Sequence, residues 1–541
     1  MTGPGTDKRR RPAGRPPAAD ARARVAGQRK RRTDGLEEEE DVIDLSATLE
    51  YHARVTPQRP ALLYGGEVVT YAALSARVGS LAGWLAARGV AKGSVVGLVM
   101  KNSAAFFELS FAVSYLGAVL LPINYRLARP EIEHIVADGG AGLLVCDEEF
   151  APALAGMANL FAVPEGALSD TSRFSAGHGR PPRAYSRPED LFRLMYTSGT
   201  TGHPKGVMHS YSNFYWKNMS LVIAMELSAR DRIFCSGPLY HVGAFDAPAS
   251  AVLWLGGTVF VQREFDAPGL AEAIGRHGLT GGWLAPVMLA RLQEALGDGH
   301  DVSSLRFIIG GGGATAEKAI HTFNRLFPNA RYINGFGLTE TCSSDTYMDP
   351  GFEISKIKSL GRALPHVEVR IGDTRGEPQP TGVEGEILLR GPKVTQGYWK
   401  APEKNNESFF GEWFRTGDVG YLDDEGFLYM TDRMKDMIKS GGENIASSEI
   451  ERVVVALPQV AEVAVVAQAD ETWGQIPVAF VTLQSDASLT PEEVDRHCRR
   501  HLAGFKVPKK VIFTDSLPRN PSGKVLKHVL RDSLSTAGST V

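Results

Sequence analysis

Tyr196-Thr-Ser-Gly-Thr-Thr-Gly-His-Pro-Lys-Gly206 sets four small hydroxyl side chains and three glycines against one lysine, a composition that suits a loop wrapped around a polyphosphate. Gly199, Gly202 and Gly206 let backbone N–H groups turn toward an anion. Thr197, Ser198, Thr200 and Thr201 add hydroxyl donors, and Lys205 adds a cation. The spacing is not that of a Walker A loop, which needs Ser or Thr directly after its lysine; Gly206 stands there. A flexible Gly/Thr linker is the plain alternative, but linkers are not preceded by a run as apolar as Leu191–Tyr196.

Outward from this stretch, short apolar runs alternate with amphipathic ones. Ser94–Met100 predicts a buried strand, Ala104–Leu116 a helix, Ala118–Pro122 a strand, Pro130–Asp138 a helix and Gly142–Cys146 a strand. Past the loop, Ser212–Glu226 predicts a helix and Arg232–Cys235 a strand, and the alternation continues to about Leu338. Repeated βα units imply an α/β fold with doubly wound, mostly parallel sheets. From Val367 the pattern shortens into strands at Val367–Ile371, Gly385–Arg390 and Gly426–Thr431, a small β-rich subdomain. Beyond Asp432 an α+β unit follows, with Ser447 or Ser448 capping a helix to Ala456 and further elements at Val460–Gln468, Pro491–Leu502 and Val511–Phe513. The expected division is a tail over 1–41, an N-terminal domain over 42–434 and a C-terminal domain over 435–541.

Composition narrows the functional classes. A chain of 541 residues with 43% hydrophobic content exceeds one ordinary core and is globular. Its formal net charge of -3 provides no overall field for nucleic acid. Cys146, Cys235, Cys342 and Cys498 are too dispersed for a CxxC or metal pattern, which points to a reduced, cytoplasmic setting. No apolar run is long enough to span a membrane without interruption. The tail carries basic clusters at Lys8–Arg11 and Arg29–Arg32 and an acidic run at Glu37–Asp41, a disordered composition to which no function is assigned.

Five further motifs carry chemistry. Asn334-Gly-Phe-Gly-Leu-Thr-Glu-Thr341 follows the strand-like Ala330–Ile333, at the kind of carboxyl edge where α/β sheets bind ligands. Ile309-Gly-Gly-Gly-Gly-Ala-Thr315 permits a planar ligand to approach the backbone, with Gly312, Gly313 and Ala314 as candidates. Phe414-Arg-Thr-Gly-Asp418 offers a carboxylate to vicinal hydroxyls. Arg433-Met-Lys-Asp-Met-Ile-Lys-Ser-Gly-Gly-Glu-Asn-Ile445 and Pro521-Ser-Gly-Lys524 complete the series. Each has an ordinary reading: helix capping for Thr-Glu, a bare glycine loop, a structural Asp in a turn, a surface turn ending in Lys.

Taken in order over about Leu45–Leu534, the six motifs resemble those of the adenylate-forming superfamily, which includes acyl-CoA synthetases, aryl-CoA ligases, luciferases and adenylation domains. The resemblance implies a large N-terminal domain and a mobile C-terminal domain. It also implies that Phe336 stacks on adenine within Asn334-Gly335-Phe336-Gly337, that Thr339 binds phosphate and that Glu340 helps to hold Mg²⁺. Asp418 would bind ribose, with Arg433 near ribose and phosphate. Lys435 matches the hinge, about which rotation would exchange Lys524 on one face for Gly441, Gly442 and Glu443 on the other. His241, in Pro238-Leu-Tyr-His-Val-Gly-Ala244, matches the substrate-side histidine. Its expected role is orientation and gating, because a carboxylic acid is already ionised at pH 7; a core histidine after a strand is the alternative.

Phe245, Asp246, Trp283 and the loop over 310–315 are the expected pocket walls. Asp246 and Asp345 stand out, because a pocket for a plain fatty chain favours apolar residues; either can recognise an amino or hydroxyl group, or point away. The implied reaction joins a carboxylic acid to ATP with loss of pyrophosphate, then passes the acyl group to CoA. Mg²⁺ through Glu340, the backbone of 198–202, Lys205 and Lys524 would offset the charge. Carrier-protein loading and nitrite activation for diazotisation of an amine are the alternatives within the same chemistry. A non-catalytic acyl or nucleotide binder is disfavoured by the intact Lys205, Glu340, Asp418, Arg433 and Lys524 set. The chain is expected to act as a monomer or homodimer.

Overall fold

The computed structural model describes residues 1–3 and 44–536, apart from 198–203, 298, 313–314, 434–435, 441–442, 471–472, 503 and 520–524. The expectation of a disordered tail therefore falls almost wholly outside the described residues.

Two sheets build the N-terminal part. Across the nine-stranded sheet the order is Arg362–Ala363, Thr346–Tyr347, Arg331–Phe336, Phe307–Gly310, Gly281–Leu284, Arg232–Cys235, Thr258–Val261, Pro60–Tyr64 and Glu67–Thr70. Its central strands, from Arg331–Phe336 to Pro60–Tyr64, run parallel, with antiparallel pairs at both margins. The six-stranded sheet runs Leu160–Val163, Ala141–Asp147, Val95–Val99, Val119–Pro122, Leu191–Thr197 and Lys205–Ser210, parallel except for the last pair. Val95–Val99 is buried along its whole length, as a parallel strand covered on both faces must be.

One apolar core joins the two sheets. It takes Leu62, Val259 and Val261 from one, Val96, Leu120 and Phe192 from the other, and fills the space with the helices Tyr71–Ala86 and Ala104–Tyr115. Every residue of Ala104–Tyr115 is buried, and its sequence is correspondingly apolar all round. Its one charged residue, Glu108, is hydrogen-bonded on both oxygens: Arg77 Nη1 donates at 3.0 Å, Thr171 Oγ1 at 2.6 Å and Thr171 N at 3.1 Å. Further helices, Ala267–His277, Pro286–Ala295 and Glu317–Leu326, cover the outer face of the larger sheet.

An antiparallel sheet of Glu368–Gly372, Gly385–Arg390, Trp413–Leu422, Phe409–Phe410 and Leu428–Arg433 forms the β-rich part. It ends at Arg433, and the last sheet begins at Ile438–Ser440, so the architecture changes across the interval that holds Lys435. That last sheet has Gly474–Leu483 at its centre, with helices Ser447–Val454 and Pro491–His501 on one face and Lys527–Thr536 on the other. The serine cap expected at Ser447 or Ser448 is not formed. Helix Ser447–Val454 has Ala446 at its N-cap, and Asp432 supplies the acceptor instead, taking bonds from Ser447 N at 2.5 Å and Ser447 Oγ at 2.9 Å. A carboxylate at the N-terminus of a helix is favoured by the positive end of the helix dipole.

Candidate active site

Adjacent parallel strands of the nine-stranded sheet deliver the predicted residues to one edge. Asn334 pairs with Gly310, Gly310 with Leu284, and Gly281–Gly282 with Ile233–Phe234. Their carboxyl ends therefore present Asn334–Phe336, Gly310–Gly312, Trp283–Leu284 and the loop from Cys235 to His241 side by side, the general ligand-binding crevice of α/β sheets. Asn334 donates through Nδ2 to Ser359 O at 2.8 Å, and Phe336 is largely buried beside Ile333 and Tyr347. Gly335 lies against Tyr347, and Gly312 takes a positive φ of 81°.

The Thr339–Glu340 turn is held from several directions. Glu340 O accepts from Thr395 N at 2.7 Å, and Glu340 Oε1 accepts from the Tyr398 hydroxyl at 2.8 Å. Just beyond it, Cys342, Ser343 and Ser344 have φ of 53°, 67° and 59°, a left-handed run that costs about 1–3 kcal/mol per residue unless surroundings impose it. Fully buried Lys393 imposes it, donating to Thr341 O at 2.9 Å, Ser343 O at 2.5 Å and Asp345 Oδ1 at 2.6 Å. Asp345 Oδ2 in turn accepts from Thr341 Oγ1 at 2.5 Å. The folded-back turn packs on Gly337, where a Cβ would sit 2.2 Å from Ser344 N, so no side chain is tolerated there.

A hairpin brings up the cationic side. Leu191–Thr197 and Lys205–Ser210 pair antiparallel with Thr197 opposite Lys205, which puts both at the end from which the Ser/Gly/Thr run departs. On its other edge Lys205–Ser210 binds the 395–399 segment: Met208 N donates to Gly397 O at 3.1 Å, Trp399 N to Gly206 O at 2.7 Å, and Val207 bridges to Tyr398. This pairing places the Tyr398 hydroxyl on Glu340. Asp418 and Arg433 face each other across two strands, with Arg433 Nε 3.1 Å from Asp418 Oδ1, and both act electrostatically on Glu340.

On the substrate side, His241 is neutral, since burial and the Arg126 charge push its pKa down to about 4, and its buried Nε2 meets no hydrogen-bond partner among the described residues. The Trp283 indole lies against the backbone at Gly237 and Gly243, where a Cβ would come within 2.7 and 2.8 Å of the ring, and its Nε1 edge faces Gly311. It thereby occupies the gap between the His241 turn and the glycine loop.

Two of the expected pocket walls are elsewhere. Phe245 belongs to the core, its ring stacked on Phe107 with centroids 5.5 Å apart. Asp246 is fully buried and both its oxygens are taken by Arg193, at 2.9 Å from Nη1 and 2.6 Å from Nη2. With Asp345 likewise taken by Lys393 and Thr341, neither carboxylate is available to an amino or hydroxyl group of a substrate: each compensates an internal cation. Ser198, Gly199, Thr200, Thr201, Gly202, Gly313, Ala314, Lys435, Gly441, Gly442 and Lys524 lie outside the described residues. Glu443 is described only as the first residue of strand Glu443–Ile445. Sequence reasoning missed Arg193, His209, Lys393 and Tyr398, all of which act on the Thr339–Asp345 region through contacts between distant segments.

The chain matches the AMP-binding enzyme family over residues 49–399 and the AMP-binding enzyme C-terminal domain over residues 449–524. It belongs to the AMP-binding enzyme family. Among similar proteins, a feruloyl-CoA synthase of Amycolatopsis is 36% identical over 483 residues, 88% of this chain and 96% of that protein. A long-chain-fatty-acid–CoA ligase of Mycobacterium tuberculosis is 35% identical over 497 residues, 90% of this chain and 98% of that one. The o-succinylbenzoate CoA synthetase of Bacillus subtilis, solved with its acyl-adenylate intermediate, superposes with a TM-score of 0.83 at 32% identity, covering 90% of this chain and 98% of that one. The same enzyme has been solved with ATP and a magnesium ion, with a TM-score of 0.82.

The residues of this AMP-binding enzyme fit such an ion. No group of three His, Cys, Asp or Glu that could hold a metal occurs among the described residues, and magnesium shared with nucleotide phosphates takes only one or two carboxylates. Burial raises the Glu340 pKa, opposed by the Tyr398 hydroxyl and the Arg433 charge, and among the described residues no cation forms an ion pair with this carboxylate.

Proposed function

We propose that this AMP-binding enzyme is an acid–thiol ligase that forms an acyl-adenylate and passes the acyl group to CoA. A carboxylate oxygen attacks the α-phosphorus of ATP and pyrophosphate leaves. The thiolate sulfur of CoA then attacks the acyl carbon, and AMP leaves with the bonding electrons. The observation that carries this reading is the Glu340 carboxylate, braced by the Tyr398 hydroxyl and set within electrostatic reach of the Asp418–Arg433 pair. It lies in a fold shared with an enzyme captured holding an acyl-adenylate. Mg²⁺, held through Glu340, would supply positive charge to the phosphates. Lys205 and Thr197 would meet the phosphates from the hairpin, Asp418 and Arg433 would take the ribose side, and neutral His241 would orient the acid. Lys524 is assigned to the first half-reaction and Gly441–Glu443 to the second, with Lys435 as the hinge between them.

For the acid, the position of Trp283 supports a compact substrate. An indole seated between the His241 turn and the glycine loop takes up length that an extended acyl chain would need. Pyrophosphate release measured over a panel from acetate and benzoate to palmitate, with nitrite included, tests both levels of the reading. Turnover should favour the short or single-ring acids, and Trp283→Ala should shift the optimum toward longer chains. Preference of the unmodified enzyme for palmitate would overturn the compact pocket and leave the ligase reading in place; turnover of nitrite with no carboxylic acid would overturn the carboxylate substrate.

A further inference from the structure

The buried charges behind the Thr339–Glu340 turn form a continuous chain of hydrogen bonds. Asp246 accepts twice from Arg193, at 2.9 and 2.6 Å. Arg193 donates from Nε at 3.2 Å and Nη2 at 2.9 Å to His209 Nδ1. His209 Nε2 lies 2.6 Å from Thr339 O. All three side chains are essentially without solvent exposure. A guanidinium has donors and no acceptor, so His209 Nδ1 must present its lone pair. The ring proton then sits on Nε2, and Nε2–H donates to the Thr339 carbonyl. Burial and the Arg193 charge push the His209 pKa down to about 3, which agrees with this neutral form.

The geometry points to His209 as a positioning residue: oriented by Asp246 through Arg193, it fixes the Thr339 carbonyl and with it the direction in which the Glu340 carboxylate faces the magnesium–nucleotide. The chain also ties two sides of the crevice together, because Asp246 lies five residues after His241 and the far end is the residue before Glu340. A core-filling role alone would not require the donor to point at this carbonyl. The proposal rests on the reading of Glu340 as the carboxylate that meets Mg²⁺ and ATP.

Two substitutions separate its halves. In His209→Asn the Oδ1 atom can replace the Nδ1 acceptor for Arg193, but the donor to Thr339 is lost. In His209→Gln a donor remains near the Nε2 position. Calorimetric titration of Mg·ATP, run alongside melting temperature, should show binding weakened about tenfold in His209→Asn, equivalent to about 1.4 kcal/mol, the size of one buried hydrogen bond. Binding in His209→Gln should stay within about threefold of the unmodified enzyme, and the acid KM should be unchanged in both. Equal losses in both variants, or none in His209→Asn, would overturn the proposal. Nitrogen-15 NMR of the unmodified protein is independent of whether the variants fold: an Nε2–H tautomer at neutral pH, assigned by its disappearance from any folded His209 variant or by its coupling to the Thr339 region, is expected, and an Nδ1–H tautomer or an imidazolium would also overturn it. If Mg·ATP binding follows the prediction while no acid yields pyrophosphate, the positioning role stands and the ligase reading falls.

Discussion

The Glu340 carboxylate accepts from the Tyr398 hydroxyl at 2.8 Å, and its raised pKa is caused first by burial. Glu340→Ala removes a group that faces the crevice and leaves the Lys393 brace intact, so pyrophosphate release should fall about 10²-fold with little change in melting temperature. Release at the unmodified rate from a folded variant would remove Glu340 from the machinery. Lys217 gives a pH prediction of definite sign. Fully buried, it donates to Asn218 Oδ1 at 2.7 Å, Asp246 O at 3.0 Å and Ser250 Oγ at 2.7 Å, yet burial pushes its pKa from 10.5 down to about 7. Between about pH 7 and 10 the unfolded chain holds a proton there that the native state has released. Stability from this group therefore rises with pH across that window, and the penalty is complete below it. Melting curves should show the unmodified protein gaining on Lys217→Met between pH 7 and about pH 9; a gap independent of pH would mean that Lys217 does not titrate in that range.

The loop over 341–345 shows how an element outside any helix or sheet is stabilised. Its three consecutive left-handed residues persist because Lys393 collects two carbonyls and a carboxylate at once. Lys393→Met would leave Asp345 buried with its cation gone, a change that costs about 3–5 kcal/mol. Denaturant unfolding should report that loss, and the double substitution Lys393→Met with Asp345→Leu should recover part of it by removing the stranded charge. A single substitution that unfolds like the original protein would contradict the brace. This loop also marks where sequence reading stopped. The Thr-Glu motif was legible as a ligand-facing turn because glycines and an aromatic precede it. Lys393 and His209 carry no local pattern that links them to it, since the contacts span fifty-two residues in one case and one hundred and thirty in the other.

Over the whole molecule, periodicity alone identified the alternating strands and helices: Arg232–Cys235 and Gly385–Arg390 fall where apolar runs predict them, and the helices near 104–116 and 212–226 differ by a residue at most. What it could not assign was the division of those strands into two sheets sharing one core, because pairing is set by side chains far apart in sequence. Asp246 illustrates the same limit at the site: beside a pocket histidine it reads as a substrate contact, and only its distance to Arg193 reveals an internal ion pair. The fold, on this reading, joins an acid to AMP before a thiol arrives. The most direct test is to incubate the protein with ATP, Mg²⁺ and the best acid of the panel, with and without CoA, and identify the products by mass. Acyl-AMP and pyrophosphate without CoA, converted to acyl-CoA and AMP on its addition, is the predicted result; ADP and orthophosphate as the nucleotide products would contradict it.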